Sequence, residues 1–366
     1  MSLKLSSITT FLEHLAPISL QESYDNSGLL IGSPNQMVNK ALITLDVTPE
    51  VIEEAVAHQC DLIIAHHPLI FKGLKRLNGN SEVETCVINA IKHNVAIYAI
   101  HTNLDNVEAG VNSQLAQKLE LANTRILAPK TGNLKKIVTF CPTAYAEKVR
   151  MAMFEAGAGH IGNYSHCSYN QQGEGTFMGH ENTKPFVGEK DKIHTESEVR
   201  IETIAPSFKV HSVINAMMET HPYEEVAYDI YPLDNVLNNI GSGMIGNLEQ
   251  PMMPLDFLRK IKKNLDCQYI KHNQLIKHQV KTVAICGGSG SFLIEAAAKA
   301  KADIFITGDI KYHEFFEHRG KMTIVDAGHF ETEQGTKELL ESLITKNFPN
   351  FALRISKKNI NPVSFL

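Results

Sequence analysis

Histidines and carboxylates collect where the apolar runs of this 366-residue chain stop. "ALITLD" ends on Asp46, and "LIIA" runs into His66-His67-Pro68. "VAIYAI" is followed by His101 and Asp105, "DIFITG" by Asp309 and His313, and "MTIVDAG" by His329 and Glu333. Short apolar runs rich in β-branched residues read as buried strands, and open α/β sheets bind ligands outside the carboxyl ends of their strands. One polar residue at such an end is ordinary loop. Imidazoles and carboxylates at five ends of one chain point to a shared site.

Spacing narrows the chemistry. Neighbouring side chains of an extended chain diverge, so His66 and His67 at a strand-to-turn junction can fan out toward two centres. His329 and Glu333 are four apart and share a face if "HFETEQGTKELLESLI" is helical from its start. Neutral imidazoles with carboxylates suit Zn²⁺, Mn²⁺ or Fe²⁺, and the lack of sulfur argues against a closed structural zinc site. The set His66, His67, Asp105, His329 and Glu333 is rich for one ion and natural for two. A carboxylate can bridge ions about 3.5–4 Å apart, and Asp105 and Glu333 are the bridging candidates. Such a pair of ions activates water at neutral pH and polarises the group attacked, which is hydrolase chemistry. No residue stands out as the general base; His101 and Asp309 are the candidates, and catalytic residues otherwise stay unassigned.

Three further stretches carry a chemical alternative. "CGGSGSFLIE" (286–295) follows a strand and opens a helix, so its N–H groups could cradle a phosphate. It lacks both the third dinucleotide glycine and the GK[ST] of a P-loop, leaving a tight strand–helix turn equally open. "SYDNSGLLIG" (23–32) reads as a solvated turn before a strand. "HPYEEVAYD" (221–229) looks like another metal motif, and its alternation reads more simply as the two faces of a strand.

The elements that must position these residues follow a βα rhythm. "ALITLD" is a strand, and Thr48-Pro49-Glu50 opens a helix to about residue 58 by capping and proline-first logic. "DLIIA" and "NVAIYAI" are strands around a helix over about 82–93. Later come strands "KTVAIC", "DIFITG" and "MTIVDAG", with helices at "SFLIEAAAKAKA" and "KYHEFFEHRG". Continuous β-branched runs alternating with helices predict a mostly parallel sheet covered on both faces. The N-terminal stretch places Ile8, Phe11, Leu12 and Leu15 on one face of an amphipathic helix, unlike a signal peptide. No apolar run is long enough to span a membrane. Six widely spaced cysteines without CxxC indicate free thiols, and a net charge of -5 speaks against nucleic acid. A cytoplasmic protein is expected.

The middle of the chain holds an internal repeat. Residues 137–157 align without gaps on 201–221, with seven identities and the same order of strand, proline, hydroxyl residue and amphipathic helix. In both copies proline is expected in the first helical turn. Further strands are expected at 163–169 and 224–231, giving a ferredoxin-like α+β module. The proposed ligands split around it. The expected division is therefore an α/β dinuclear metal-binding domain from 1–132 and 241–366, interrupted by an inserted domain over 133–240.

The ordered set "YDNSGLLIG", "IIAHHPLIF", "HTNLDN", "GGSGSF", "TGDIKYHE" and "DAGHFETE" resembles the GTP cyclohydrolase 1 type 2 homolog family, also called NGG-interacting-factor-three-like, over nearly the whole chain. The resemblance implies a dinuclear site on the same five residues, with two divalent ions per chain, zinc first and manganese or iron as alternatives. It implies that the middle segment is similar to a trimeric PII/CutA-type module and that the chain assembles as a hexamer. The family name implies hydrolytic opening of GTP or a related nucleotide. A phosphoesterase, or a metal-binding regulatory or scaffold protein acting through partners, fits the same residues.

Overall fold

The computed structural model describes residues 2–358, 361–364 and 366. The chain divides into two compact units, Met1–Pro129 with Asn238–Leu366, and Lys130–Leu237. Among the described residues no helix is long and apolar enough to cross a membrane.

The first unit contains two large sheets and a two-stranded pairing of Leu3–Lys4 with Met37–Val38. One has five strands in the order Ala352–Ile355, Lys40–Thr44, Leu62–Ala65, Ala96–Ala99 and Gly28–Ile31. All neighbours are parallel except the last pair. Strand alternation sends Ala41, Ile43, Leu62, Ile64 and Tyr98 against Leu5, Ile8 and Leu12 of the helix Leu5–Leu15. Leu42, Ile63, Ala65 and Ile97 face the other way, onto the helices Pro49–Ala57 and Glu82–Lys92. Burial on both faces is why these strands read as unbroken apolar runs. Thr48 caps its helix, the hydroxyl accepting from the Val51 N–H at 3.4 Å, with Pro49 at the first position.

The other sheet has six strands in the order Lys271–His272, Thr323–Asp326, Ile304–Gly308, Val280–Ser289, Gly241–Met252 and Leu121–Pro129. Only the Val280–Ser289, Ile304–Gly308 and Thr323–Asp326 strands run parallel; the remaining pairings are antiparallel. One face packs on Phe257, Leu258 and Ile261 of the helix Pro254–Asn264. The other packs on Leu293, Ile294 and Ala297. The single parallel sheet read from the βα rhythm is thus two mixed sheets. Leu121–Pro129 and Gly241–Met252 pair with each other although the whole second unit separates them in sequence, and no local periodicity encodes such a pairing.

The second unit is one antiparallel sheet of Leu134–Pro142, Ser168–Phe177, His194–Pro206 and Tyr228–Leu233, with helices Ala146–Glu155 and Val210–Thr220. The strands lie in the order fourth, first, third, second, the β-α-β-β-α-β connectivity of a ferredoxin-like module. Both helices pack on one face through Val149, Met153, Val213 and Met217 against Ile137, Cys141, Val199 and Ile201. Pro142 and Pro206 are each the last strand residue rather than part of the first helical turn, since proline ends a ladder by lacking an N–H. The strands expected at 163–169 and 224–231 begin later, at Ser168 and Tyr228. Residues 221–227 are therefore loop, and "HPYEEVAYD" owes its alternation to something other than a strand.

Candidate metal centre

Both large sheets of the first unit deliver their strand ends to one place. His66 and His67 follow Leu62–Ala65, His101 follows Ala96–Ala99, and Asp105 ends the short helix Thr102–Asp105. From the other sheet, Asp309 follows Ile304–Gly308, and the helix His329–Glu333 begins just after Thr323–Asp326. Helical spacing brings His329 Nε2 to 3.0 Å from Glu333 Oε2. His67 Nε2 lies 3.0 Å from the same oxygen. His66 Nε2 lies 3.7 Å from Glu333 Oε1 and 3.8 Å from Asp105 Oδ1. All five residues named from the sequence therefore meet.

Each imidazole is held from outside by its Nδ1. His66 Nδ1 donates to the Ile100 carbonyl at 2.9 Å, and His67 Nδ1 to Asp46 at 2.8 Å. His101 Nδ1 donates to Asp25 at 2.8 Å, and His329 Nδ1 to Asp309 at 2.7 Å. An oxygen acceptor at Nδ1 fixes the tautomer in which a neutral ring offers the Nε2 lone pair. The pattern leaves lone pairs facing one another, as at His67 Nε2 and His329 Nε2, 3.4 Å apart. It also leaves the buried His66 Nε2 and Asp105 Oδ1 without any hydrogen-bond partner. Buried polar atoms are nearly always satisfied, and a cation among these lone pairs would satisfy them. Nitrogen and oxygen donors with no thiolate suit a divalent ion of the Zn²⁺, Mn²⁺ or Fe²⁺ kind.

Two groups of donor atoms lie within 4.8 Å of one another in this centre, His66 with His67 and His101, and His67 with His329 and Glu333. His101, a candidate base from the sequence, lies among the candidate ligands. Asp309 is occupied in orienting His329. Asp25 was hidden in a stretch that reads as a solvated turn. Its carboxylate is buried and accepts from His101, from the Thr102 N–H at 3.0 Å and from the Thr102 hydroxyl. Burial opposes that charge, but the His101 and Thr102 hydrogen bonds outweigh it and hold the carboxyl well below its usual range.

With protons in place of ions, the cluster compensates its own charge. Burial opposes a charge on His67, yet hydrogen bonds to Asp46 and Glu333 raise it from 6.5 to about 10. His329 is raised to about 9 against the same penalty, by its hydrogen bond to Glu333, the Glu333 charge and its hydrogen bond to Asp309. Burial would raise Glu333, but the hydrogen bond from His329 and the nearby imidazoles of His66 and His67 hold it well below its ordinary value. Burial, then the Glu333 charge, pushes Asp105 up.

Three amides of the glycine-rich loop that could have faced a phosphate are already taken. The Gly287 N–H donates to Asn112 Oδ1 at 3.0 Å, Gly288 N–H to Thr332 Oγ1 at 3.0 Å and Gly290 N–H to Thr307 Oγ1 at 2.9 Å. Its glycines serve close approach: a Cβ on Gly288, whose φ is +62°, would stand 2.1 Å from Glu333 Oε1. Gly288→Ala is expected to cost about 1–2 kcal/mol in backbone strain and to push Glu333 out of position. Denaturant melts and metal titration check this; unchanged stability and affinity would contradict it.

A cavity of about 680 Å³ opens on the cluster, lined also by Tyr24, Phe71, Phe292 and Lys271. Cys286 lines it too, and burial followed by the Asp105 and Glu333 charges pushes its thiol up, which keeps it protonated.

Residues 3–362 match the family model Duf34/NIF3 (NGG1p interacting factor 3). The chain is 38% identical to the GTP cyclohydrolase 1 type 2 homolog of Bacillus subtilis, and 38% identical to that of Halalkalibacterium halodurans, covering 98% of both chains in each comparison. The crystal structure of a Bacillus cereus protein related to NIF3 superposes with a TM-score of 0.84, at 39% identity and 99% coverage of both chains. With the family model spanning almost its whole length, the chain belongs to the Duf34/NIF3 family.

Proposed function

We propose that this protein holds two divalent metal ions and uses them to hydrolyse a small polar molecule. One observation carries the proposal: buried, inward-facing donor atoms with no hydrogen-bond partner, His66 Nε2 and Asp105 Oδ1, in a cluster open to a substrate-sized cavity. His66, Asp105 and Glu333 Oε1 would hold one ion, with His101 alongside. His67, His329 and Glu333 Oε2 would hold the other, making Glu333 the bridging residue. Bound there, the ions would supply Lewis acidity, polarising the attacked group and activating water. The protein orients the ligands through Asp25, Asp46 and Asp309 and covers the site with Tyr24, Phe71 and Phe292.

The relatives' name makes GTP the first substrate to assay. Among the described residues the lining offers little to a triphosphate: the Gly287, Gly288 and Gly290 amides are taken, and Lys271, the one lysine there, pairs with Asp326 at 2.6 Å. A phosphate would then be held mainly by the metal ions. Turnover should be assayed on GTP, other nucleotides and generic phosphoesters with added Zn²⁺ or Mn²⁺. Chelation is expected to abolish activity, and Glu333→Gln to lower it at least about a hundredfold, or about 2.7 kcal/mol. Metal binding without turnover on any of them would favour a regulatory or scaffold role.

The proposal includes a homohexamer. Tyr169, Ile230 and Tyr231 on strands of the second unit stand exposed, as surfaces awaiting a partner do. Light scattering should give several times the chain mass of 40.7 kDa; a monomer at all working concentrations would refute it.

A further inference from the structure

The stretch "HPYEE" takes no part in the metal centre, yet it builds a second cavity. Within the second unit a space of about 670 Å³ is lined by Phe177, Phe186, Tyr223, Glu198, Glu224 and Glu225, among others. His221 anchors the loop that forms one wall. Its Nε2 donates to the Phe140 carbonyl at 2.9 Å, and its Nδ1 accepts from the Tyr223 N–H at 3.1 Å. That fixes Tyr223, whose ring stands 5.7 Å from Phe177 and 6.4 Å from Phe186.

Glu198 sits among these rings with 8% of its surface exposed. The Tyr223 hydroxyl donates to its Oε1 at 2.8 Å, and no lysine or arginine forms an ion pair with it among the described residues. A buried carboxylate without a counter-ion is costly. The fold nevertheless makes room for it. Gly173 is its partner across the sheet, and a Cβ on Gly175 would stand 2.2 Å from Glu198 Oε2.

The lining selects among ligand classes. Four carboxylates, Glu174, Glu198, Glu224 and Glu225, stand against one cation, Arg200, which pairs with Glu202 at 2.8 Å and lies on the Phe140 ring while its buried Nε stays unpaired, so the lining is acidic on balance and favours a cation over an anion. No metal-ligating cluster occurs here among the described residues. Aromatic rings around a carboxylate suit a positive charge on an organic body, because the ring faces carry partial negative charge. We propose that this cavity binds a small organic cation, an ammonium compound or polyamine, with Glu198 as its counter-ion and Tyr223, Phe177 and Phe186 as its aromatic walls.

Calorimetric titration of the full-length, metal-loaded protein tests this with choline, spermidine and 3,3-dimethyl-1-butanol, the uncharged isostere of choline. At least one cation is expected to saturate a single site per chain, with the uncharged isostere at least about tenfold weaker. Glu198→Gln keeps the shape and the Tyr223 hydrogen bond, and should lose cation affinity at least about tenfold with metal content and melting unchanged. Should that variant fold poorly, Phe186→Leu at a half-exposed position carries the same test with a smaller loss. No saturable binding of either cation up to about 10 mM, equal binding of the uncharged isostere, or undiminished cation binding in a folded Glu198→Gln or Phe186→Leu protein would each overturn the proposal.

Discussion

Replacing Glu333 by glutamine is expected to cut the bound divalent metal from about two ions per chain to one or fewer. Its carboxylate faces both sides, with Oε1 toward His66 and Oε2 toward His67 and His329. An amide offers one neutral oxygen where two charged ones stood, and its NH₂ would point at a lone pair. His67→Ala should lower the count as well, because His67 belongs to both donor groups. Asp25→Asn acts from outside. It leaves every inward-facing donor in place but weakens the hold on His101, and changes of that type typically cost about 10–100-fold in metal affinity. Elemental analysis after loading and dialysis reads all three. Full metal content in Glu333→Gln would mean that the ions sit elsewhere.

The second large effect is on stability, and its sign depends on pH. Ligand present at about 100 times its dissociation constant stabilises the folded chain by about 2.7 kcal/mol, so metal loading should raise the melting temperature clearly. The metal-free protein has its own slope. His67 and His329 are raised in the folded chain, from 6.5 to about 10 and about 9. A raised group means that the folded state binds protons more tightly than the unfolded one. Its stabilisation is complete below 6.5 and drains away as pH rises toward 9 and beyond. Glu333 is depressed, so its stabilisation is lost only in acid, as pH falls below the ordinary carboxylate range. Metal binding runs against the histidine protons, because a ligand nitrogen must be free of its proton. Melting temperatures of loaded and metal-free protein should therefore diverge as pH rises from 6.5 toward 9, with proton release on loading. A gap that narrows over this window would contradict the assignment of His67 and His329 as ligands.

Much of the centre was legible because strand ends are local signals. His66-His67 after "LIIA" and His329 with Glu333 at helical spacing need no knowledge of the tertiary fold. What was not legible lies at long range. Asp25 and His101 are 76 residues apart, and nothing in "SYDNSGLLIG" distinguishes a buried carboxylate from a solvated one. The Gly287, Gly288 and Gly290 amides looked available because their acceptors, Asn112, Thr332 and Thr307, come from elsewhere in the chain. The same limit hid the second sheet, whose antiparallel pair closes across the inserted unit. Within that unit the repeat revealed the two strand–helix pairs. It gave no sign that "HPYEE" folds as a loop around Glu198. Periodicity identifies elements; it does not say which loop residue reaches which partner.

Anomalous diffraction from crystals of the full-length chain soaked in Zn²⁺ or Mn²⁺ tests the central claim most directly. Two peaks are expected about 3.5–4 Å apart, one beside His66 and Asp105, the other beside His67 and His329, with Glu333 between them. A cluster without a peak after soaking, or with one peak alone, would contradict the dinuclear site.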